Sequence, residues 1–342
     1  MLQSVKIVIR KQIVLNKLVI FGVGLIGGSV ALALKKNSIL ASKAGFSTYI
    51  VGAGRSISCL EHAVKLGVID AYCDVLESFE CANTIDCAES SVGTEINHAA
   101  KTHGFTKSSF AQTINTANII LIAAPVAQTA SILQKIKPYL NNQTVITDAG
   151  STKGDVLTCA QSILGSQYNQ FVGGHPIAGA EKSGVSAAVS NLFAGKNVVL
   201  TPATATSKDA LALVAALWQT CGARVSTMAA NTHDDVFAAI SHLPHLLAFA
   251  LVNDIAGRPN AAQLFSFAAS GFRDFTRIAG SHPEMWRDII LANKTALLSE
   301  LNAYQLELNN LKILLENEDG QGLQALFARA SVARNNWAIG NN

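Results

Sequence analysis

Charge is scarce in this sequence. Lysine, arginine, aspartate and glutamate make up 14% of 342 residues, against 49% hydrophobic residues. That balance excludes a disordered chain and leaves enough apolar material for a sizeable core in about two domains. The charges nearly cancel, at a formal +3, so nothing calls for a nucleic-acid or acidic-membrane partner. No C-x-x-C pair occurs among Cys59, Cys73, Cys81, Cys87, Cys159 and Cys221. That spacing favours reduced thiols over a zinc site or a disulfide framework. The apolar opening "MLQSVKIVIRKQIVLNKLVIFGVG" is broken by Lys6, Arg10, Lys11 and Lys17, so it falls short of the ~20 uninterrupted residues of a spanning helix. No small-residue cleavage site follows it. These absences predict a cytoplasmic protein with no membrane partner.

What is present alternates. "KLVIFGVGLIGGSVALALKK" reads as a buried strand, a glycine turn and a helix. "TYIVGAG" (48–54), "NIILIAAPV" (118–126), "QTVITDAG" (143–150), "QFVGGHP" (170–176), "NVVLTP" (197–202) and "ARVSTM" (223–228) read as further strands, with helical stretches such as "TASILQKIKPYL" between them. This order predicts an α/β fold with a doubly wound, mostly parallel sheet over residues 1–228. Residues 75–115, rich in Ser, Thr, Asn and Ala, are too long for one connection and read as an insertion; His98 and His103 within it read as solvated. After Met228 only helical periodicity remains, which predicts an all-helical domain over 229–342. Thr232 and Asp235 stand at capping-box spacing near its start. The apolar repeats between Ile289 and Leu315 exceed the needs of a small bundle. They predict a homodimer interface, with an internal core as the alternative.

Gly22, Gly24 and Gly27 form G-x-G-x-x-G directly after a strand and before a helix. The first glycine permits the tight turn, the second the approach of a pyrophosphate, and the third close packing of helix on strand. The helix start at Leu25 and Ile26 then offers N–H groups and a partial positive charge to phosphates. The α/β domain is therefore Rossmann-like and binds a dinucleotide. At the end of the second strand, where an NAD site normally has an acid, stands Gly54, followed by Arg55 and Ser56. No carboxylate is there to repel a 2′-phosphate and Arg55 can pair with one, which favours NADP, with NAD as the alternative. Ala124 and Pro125, after the next long strand, would let the loop pass close to the cofactor. Ser151 and Lys153 in "TDAGSTKGDV" are candidates for the nicotinamide end; the alternatives are a helix cap and a solvated lysine.

"HPIAGAEKSG" (175–184) places a histidine before a proline and beside a glycine-rich turn, a composition suited to a site rather than a core. Arg273 and Arg277 stand four apart in "GFRDFTRIAG", and on a helix would share one face. His242 and His245 bracket Pro244, which would bend a helix. Their spacing suits a metal, but no nearby carboxylate or cysteine completes a site.

Taken together, "VIFGVGLIGGSVALAL", "TDAGSTKGDV", "GGHPIAGAEKSG", "NLFAGKNVVLTP", "SHLPHLLAFAL" and "GFRDFTRIAGSHPEMWRDI" resemble the prephenate/arogenate dehydrogenase family of tyrosine biosynthesis, in order from about Lys17 to Trp337. The departures are the longer 75–115 segment and Gly54-Arg55 in place of the usual acid. The resemblance implies oxidative decarboxylation of a cyclohexadienol, prephenate or arogenate, with hydride transfer to NAD(P). It implies that His175 accepts the hydrogen bond of the ring hydroxyl, shared with Ser151, that Arg277 binds a substrate carboxylate and that His245 lines the substrate pocket. It leaves Arg273 and Glu181 supporting roles: Arg273 in an ion pair or at a subunit contact, Glu181 as a gate or a helix cap. A β-hydroxyacid-type dehydrogenase and a catalytically silent NADPH-binding dimer are the competing readings.

Overall fold

The computed structural model describes residues 15–41, 48–75, 108–179 and 182–340. Glu181, Cys81, Cys87, His98, His103 and most of the 75–115 segment lie outside these residues. The chain divides into two compact units, Met1–Asp234 with Ser281–Ala292, and Asp235–Gly280 with Asn293–Asn342.

The first unit carries β1 (Lys17–Phe21), α1 (Leu25–Ala41), β2 (Tyr49–Gly54), α2 (Ile57–Lys65), β3 (Ala71–Asp74), α3 (Phe110–Asn115), β4 (Ile119–Ile122), α4 (Thr129–Ile136), β5 (Val145–Asp148), α5 (Gly154–Leu164), β6 (Phe171–Pro176), β7 (Asn197–Thr201), α6 (Lys208–Thr220) and β8 (Arg224–Thr227). The strands form one sheet in the order β3-β2-β1-β4-β5-β6-β7-β8. Pairing is parallel except between β6 and β7, which is antiparallel. Along β1, Leu18 and Ile20 enter the core on one face of the sheet, and Val19 and Phe21 enter the core on the other. Burial on both faces explains why β1 and β4 read as unbroken apolar runs rather than alternating ones.

Strand β3 was not anticipated. Its four residues, Ala-Tyr-Cys-Asp, pair in parallel with β2, so the strands at "NIILI" and "TVITD" are the fourth and fifth in sequence rather than the third and fourth. A four-residue strand containing Asp74 makes no apolar run, and only its partner defines it.

The remaining helices are α7 (Ala230–Phe237), α8 (Leu243–Ala256), α9 (Ala261–Ser266), α10 (Ser270–Thr276), α11 (Pro283–Ala292), α12 (Lys294–Glu316) and α13 (Gly320–Gly340). The unit boundary falls inside α7, and α11 returns to the first unit. Thr232 is the third residue of α7 and cannot be its N-cap, which corrects the capping-box expectation. Between α7 and α8 lies a π turn, Ala238–His242. Pro244, in the first turn of α8, has no N–H to donate to the preceding turn, and the widened π turn is how the backbone accommodates this. Helix α10 stops at Thr276, and Arg277 opens a 3-10 turn, Arg277–Gly280. Arg277 keeps helical backbone angles, φ −52° and ψ −40°, so it stands about one turn beyond Arg273. Between Ile289 and Leu315 the repeats divide: Ile289 and Leu297 are buried, whereas Leu306 and Leu315 on α12 are 70% and 63% exposed.

Candidate active site

The glycine loop joins β1 to α1 where the strand order turns back from β1 to β4, the position at which doubly wound sheets hold ligands. Gly22 has φ +90°, and a Cβ there would stand 2.7 Å from the Ala123 carbonyl oxygen. A Cβ on Gly27 would press on the Gly22 carbonyl and lie 2.7 Å from Ile20 Cγ2; this glycine lets α1 pack on its strand. A Cβ on Gly24 would meet nothing within 4 Å, leaving its backbone open to a phosphate. A cleft of about 1010 Å³ opens here, walled among others by Gly22, Gly24, Gly54, Arg55, Ser56, Ala124 and Pro125. Leu25, Ile26, Gly27 and Ser151 are not part of its wall. Three basic side chains, Arg55, His62 and Lys135, line it, and among the described residues no aspartate or glutamate does. The open Gly24 backbone and the start of α1 fit a pyrophosphate.

A second group of side chains gathers where β5 and β6 end, at the same carboxyl edge. The two glycines before His175 have a steric cause. A Cβ on Gly174 would sit 2.7 Å from the Asp148 carbonyl oxygen, and one on Gly173 would press on Thr201 and lie 2.8 Å from Leu157 Cδ1. Beside them runs Lys153, wholly buried. Its ammonium pairs with the Asp148 carboxylate and donates to the Gly174 carbonyl at 2.9 Å. Asp148 also accepts the N–H groups of Gly150 and Gly174 at 2.8 and 2.9 Å. Lys153 is thus not a solvated lysine. It ties β5 to β6 beneath the histidine.

His175, half-buried, follows on β6. Its Nδ1 lies 2.8 Å from Nε2 of His233, and Nδ1 of His233 lies 2.8 Å from Oδ1 of Asp234. Asp234 also accepts the Lys153 N–H at 2.9 Å and the Gly154 N–H at 2.8 Å, and so caps α5 from 80 residues away. The N-cap position of α5 is Lys153, which makes no side-chain cap of its own, so the alternative of Ser151 as the helix cap does not hold. Ser151 stands in the turn just before. Sequence reasoning missed His233 and Asp234. "NTHDD" looked like a helix opening, and only an invariant acid–histidine pairing across a distant turn could have raised them, which one sequence does not display.

In the second unit His242 is buried and bonded to the Asn293 amide at 3.1 Å. His245 is half-buried, and its Nδ1 bonds to the Ser241 carbonyl at 2.9 Å, which places its proton on Nδ1. Arg273 and Arg277 are exposed. Glu181 lies outside the described residues.

Burial, and after it the Lys153 ammonium, hold the pKa of His233 below the ordinary imidazole range, against the pull of Asp234 and Asp148. Burial and the Arg277 charge do the same for His245, against the Ser241 carbonyl. For Asp234 burial pushes upward, but the bonds from His233, Gly154 and Lys153 bring it below the usual carboxylate range. The two histidines are kept neutral in the fold, while the unfolded chain takes up protons near pH 6.5. The stability this gives is fully present above that pH and is lost as pH falls from there towards the folded values. Urea midpoints should therefore drop between pH 7.5 and 5.5, and less so in His233→Gln; equal drops in the two proteins would contradict the assignment to His233.

A glycine loop at the switch point of a doubly wound sheet, with a bonded histidine at the same edge, defines a nicotinamide-dinucleotide-dependent dehydrogenase. The comparisons narrow it. The family model described as prephenate dehydrogenase, nucleotide-binding domain, matches residues 90–227, and that described as prephenate dehydrogenase, dimerization domain, matches residues 229–329. The prephenate dehydrogenase of Bacillus subtilis is 36% identical over 321 residues, 93% of this chain and 75% of the relative. The crystal structure of prephenate dehydrogenase from A. aeolicus in complex with hydroxyphenyl propionate and NAD+ superposes with a TM-score of 0.77 at 33% identity, covering 95% of this chain and 99% of that one. Synechocystis arogenate dehydrogenase gives a TM-score of 0.70 at 27% identity, covering 94% and 99%. The chain belongs to the prephenate dehydrogenase family.

Proposed function

We propose that this protein oxidises and decarboxylates prephenate, arogenate or both, giving 4-hydroxyphenylpyruvate or tyrosine, in the cytoplasm. The bound dinucleotide supplies the hydride acceptor. The protein must take the ring hydroxyl's proton as hydride departs, because an unrelieved oxocarbenium would be costly. The observation that carries the reading is His175, at the carboxyl edge of the sheet with Nδ1 engaged by His233. Its Nε2 is the atom we assign to take the proton, a role suited to imidazole. Ser151 shares the hydroxyl, since its own hydroxyl both donates and accepts. Residues 1–228 serve the cofactor. Residues 229–342 supply Arg277 and His245 to the substrate, with Arg273 and Glu181 supporting them, and form a homodimer through α12. The test is absorbance at the reduced-nicotinamide band with each substrate and each cofactor; no turnover with any pair would favour a silent NADPH-binding dimer. Light scattering at micromolar concentration should give twice the chain mass, and a single 36.0 kDa species would refute the dimer.

The cleft supports a preference for NADP. Arg55, His62 and Lys135 stand on its wall, where among the described residues there is no aspartate or glutamate, and this supports a site for the 2′-phosphate of NADP. A charge-assisted hydrogen bond contributes roughly 1.5–3 kcal/mol, about 10- to 150-fold. The wild type should favour NADP in kcat/KM, and Arg55→Ala should lose that factor for NADP with little change for NAD. A wild type that favours NAD would overturn the preference.

A further inference from the structure

We infer that His233 and Asp234 are positioning residues for proton transfer: Asp234 fixes the tautomer of His233, and His233 fixes that of His175, so that Nε2 of His175 is held as an acceptor. The inference rests on the reading of His175 as proton acceptor.

The argument runs along the hydrogen bonds. An ionised carboxylate only accepts. Asp234 Oδ1 lies 2.8 Å from His233 Nδ1, so that nitrogen carries the proton and donates. Neutral imidazole has one N–H and one lone pair, so Nε2 of His233 accepts. Its partner at 2.8 Å is Nδ1 of His175, which must therefore donate. A neutral His175 with its proton on Nδ1 has its lone pair on Nε2. The carboxylate at the head of the chain cannot swing away, because Oδ1 also accepts from the Lys153 N–H and Oδ2 from the Gly154 N–H. The same acid that caps α5, just after the Ser151 turn, thus sets the proton on the histidine.

His233 acts here as an acceptor and not as a proton carrier. Among the described residues, the groups that face it include His175 from β6, Asp234 beside it on α7, Asp148 at the end of β5 and Lys153 from the turn that follows. Burial and the Lys153 ammonium hold it neutral against the two carboxylates. When the substrate O–H bond breaks and the Nε2–H bond of His175 forms, the positive charge stays on His175, whose Nδ1–H keeps its bond to His233.

Two measurements test this. In the full chain labelled with 15N in its imidazoles, the His175 signal is the one lost in His175→Asn. At pH 7.5 it should show the neutral tautomer protonated on Nδ1; the Nε2–H tautomer would overturn the inference. Separately, His233→Leu removes the acceptor and should lower kcat roughly 10- to 100-fold, the range for leaving a buried donor unpaired, with little change in KM. His233→Gln, whose amide oxygen can accept from His175 while its NH2 donates to Asp234, should recover most of that loss. A His233→Leu variant that keeps a kcat equal to that of His233→Gln would sink the idea. The spectrum needs no variant at position 233 to fold. The two readings also fail separately: an active His175→Asn would remove the proton acceptor but leave the measured tautomer standing.

Discussion

His175→Asn should fold, bind dinucleotide and substrate nearly as the wild type does, and lose about 10²–10⁴ in kcat, the usual contribution of one general base. The size follows from what asparagine keeps and what it lacks. Its amide can still donate towards His233 and preserve the local packing, so the strand and the Gly173–Gly174 contacts survive. It offers no nitrogen lone pair that can take a proton from a hydroxyl. Since the missing interaction belongs to the transition state, kcat and kcat/KM should fall together with KM nearly constant. Steady-state rates with the preferred substrate decide it: a variant that keeps more than a third of wild-type kcat means that another residue takes the proton.

Arg277→Gln is the second large expected effect. Both substrates carry carboxylates that must be held while the ring carbon faces the nicotinamide. A planar guanidinium can grip one through two parallel bonds. Glutamine keeps the length but loses the charge, so substrate KM should rise by about 30- to 150-fold, corresponding to roughly 2–3 kcal/mol, and poorer orientation should lower kcat as well. The dinucleotide dissociation constant should stay nearly constant, since the cleft residues belong to the other unit. Arg277 also contributes to holding the pKa of His245 down, so its removal should let His245 titrate at higher pH. Arg273→Gln is the control, one residue type on α10 before the helix gives way to the 3-10 turn. If Arg273→Gln raises substrate KM more than Arg277→Gln, the carboxylate clamp has been assigned to the wrong arginine.

The strands built from unbroken apolar runs and the glycine loop were legible in the sequence, because burial on both sheet faces and a positive φ at Gly22 each select residue types locally. β3 was not legible, because four residues with a terminal aspartate acquire strand character only from pairing with β2. Lys153 misled for a related reason: a lysine in a Ser-Gly-rich turn looks solvated until Asp148 and the Gly174 carbonyl surround it. His175 stood out by its company, but the residues behind it did not. His233 and Asp234 act across 58 and 80 residues of chain, and no local pattern encodes such a pairing. Thr232 drew the capping reading that belongs, in effect, to Asp234, which caps a different helix.

The position of that aspartate bears on how the chain can be cut. Met228 is where the composition changes, and it invites truncation to obtain the nucleotide-binding half alone. A fragment ending there would lack His233, Asp234 and the Ser281–Ala292 segment that returns to the first unit. The Lys153 and Gly154 N–H groups would lose their acceptor, at a cost of about 1 kcal/mol for a lost cap, and His175 would face solvent in place of its partner. The gene can be divided at that codon, but the compact unit does not end there: it runs on to Asp234 and takes in α11 from further along the chain, so it is discontinuous in sequence.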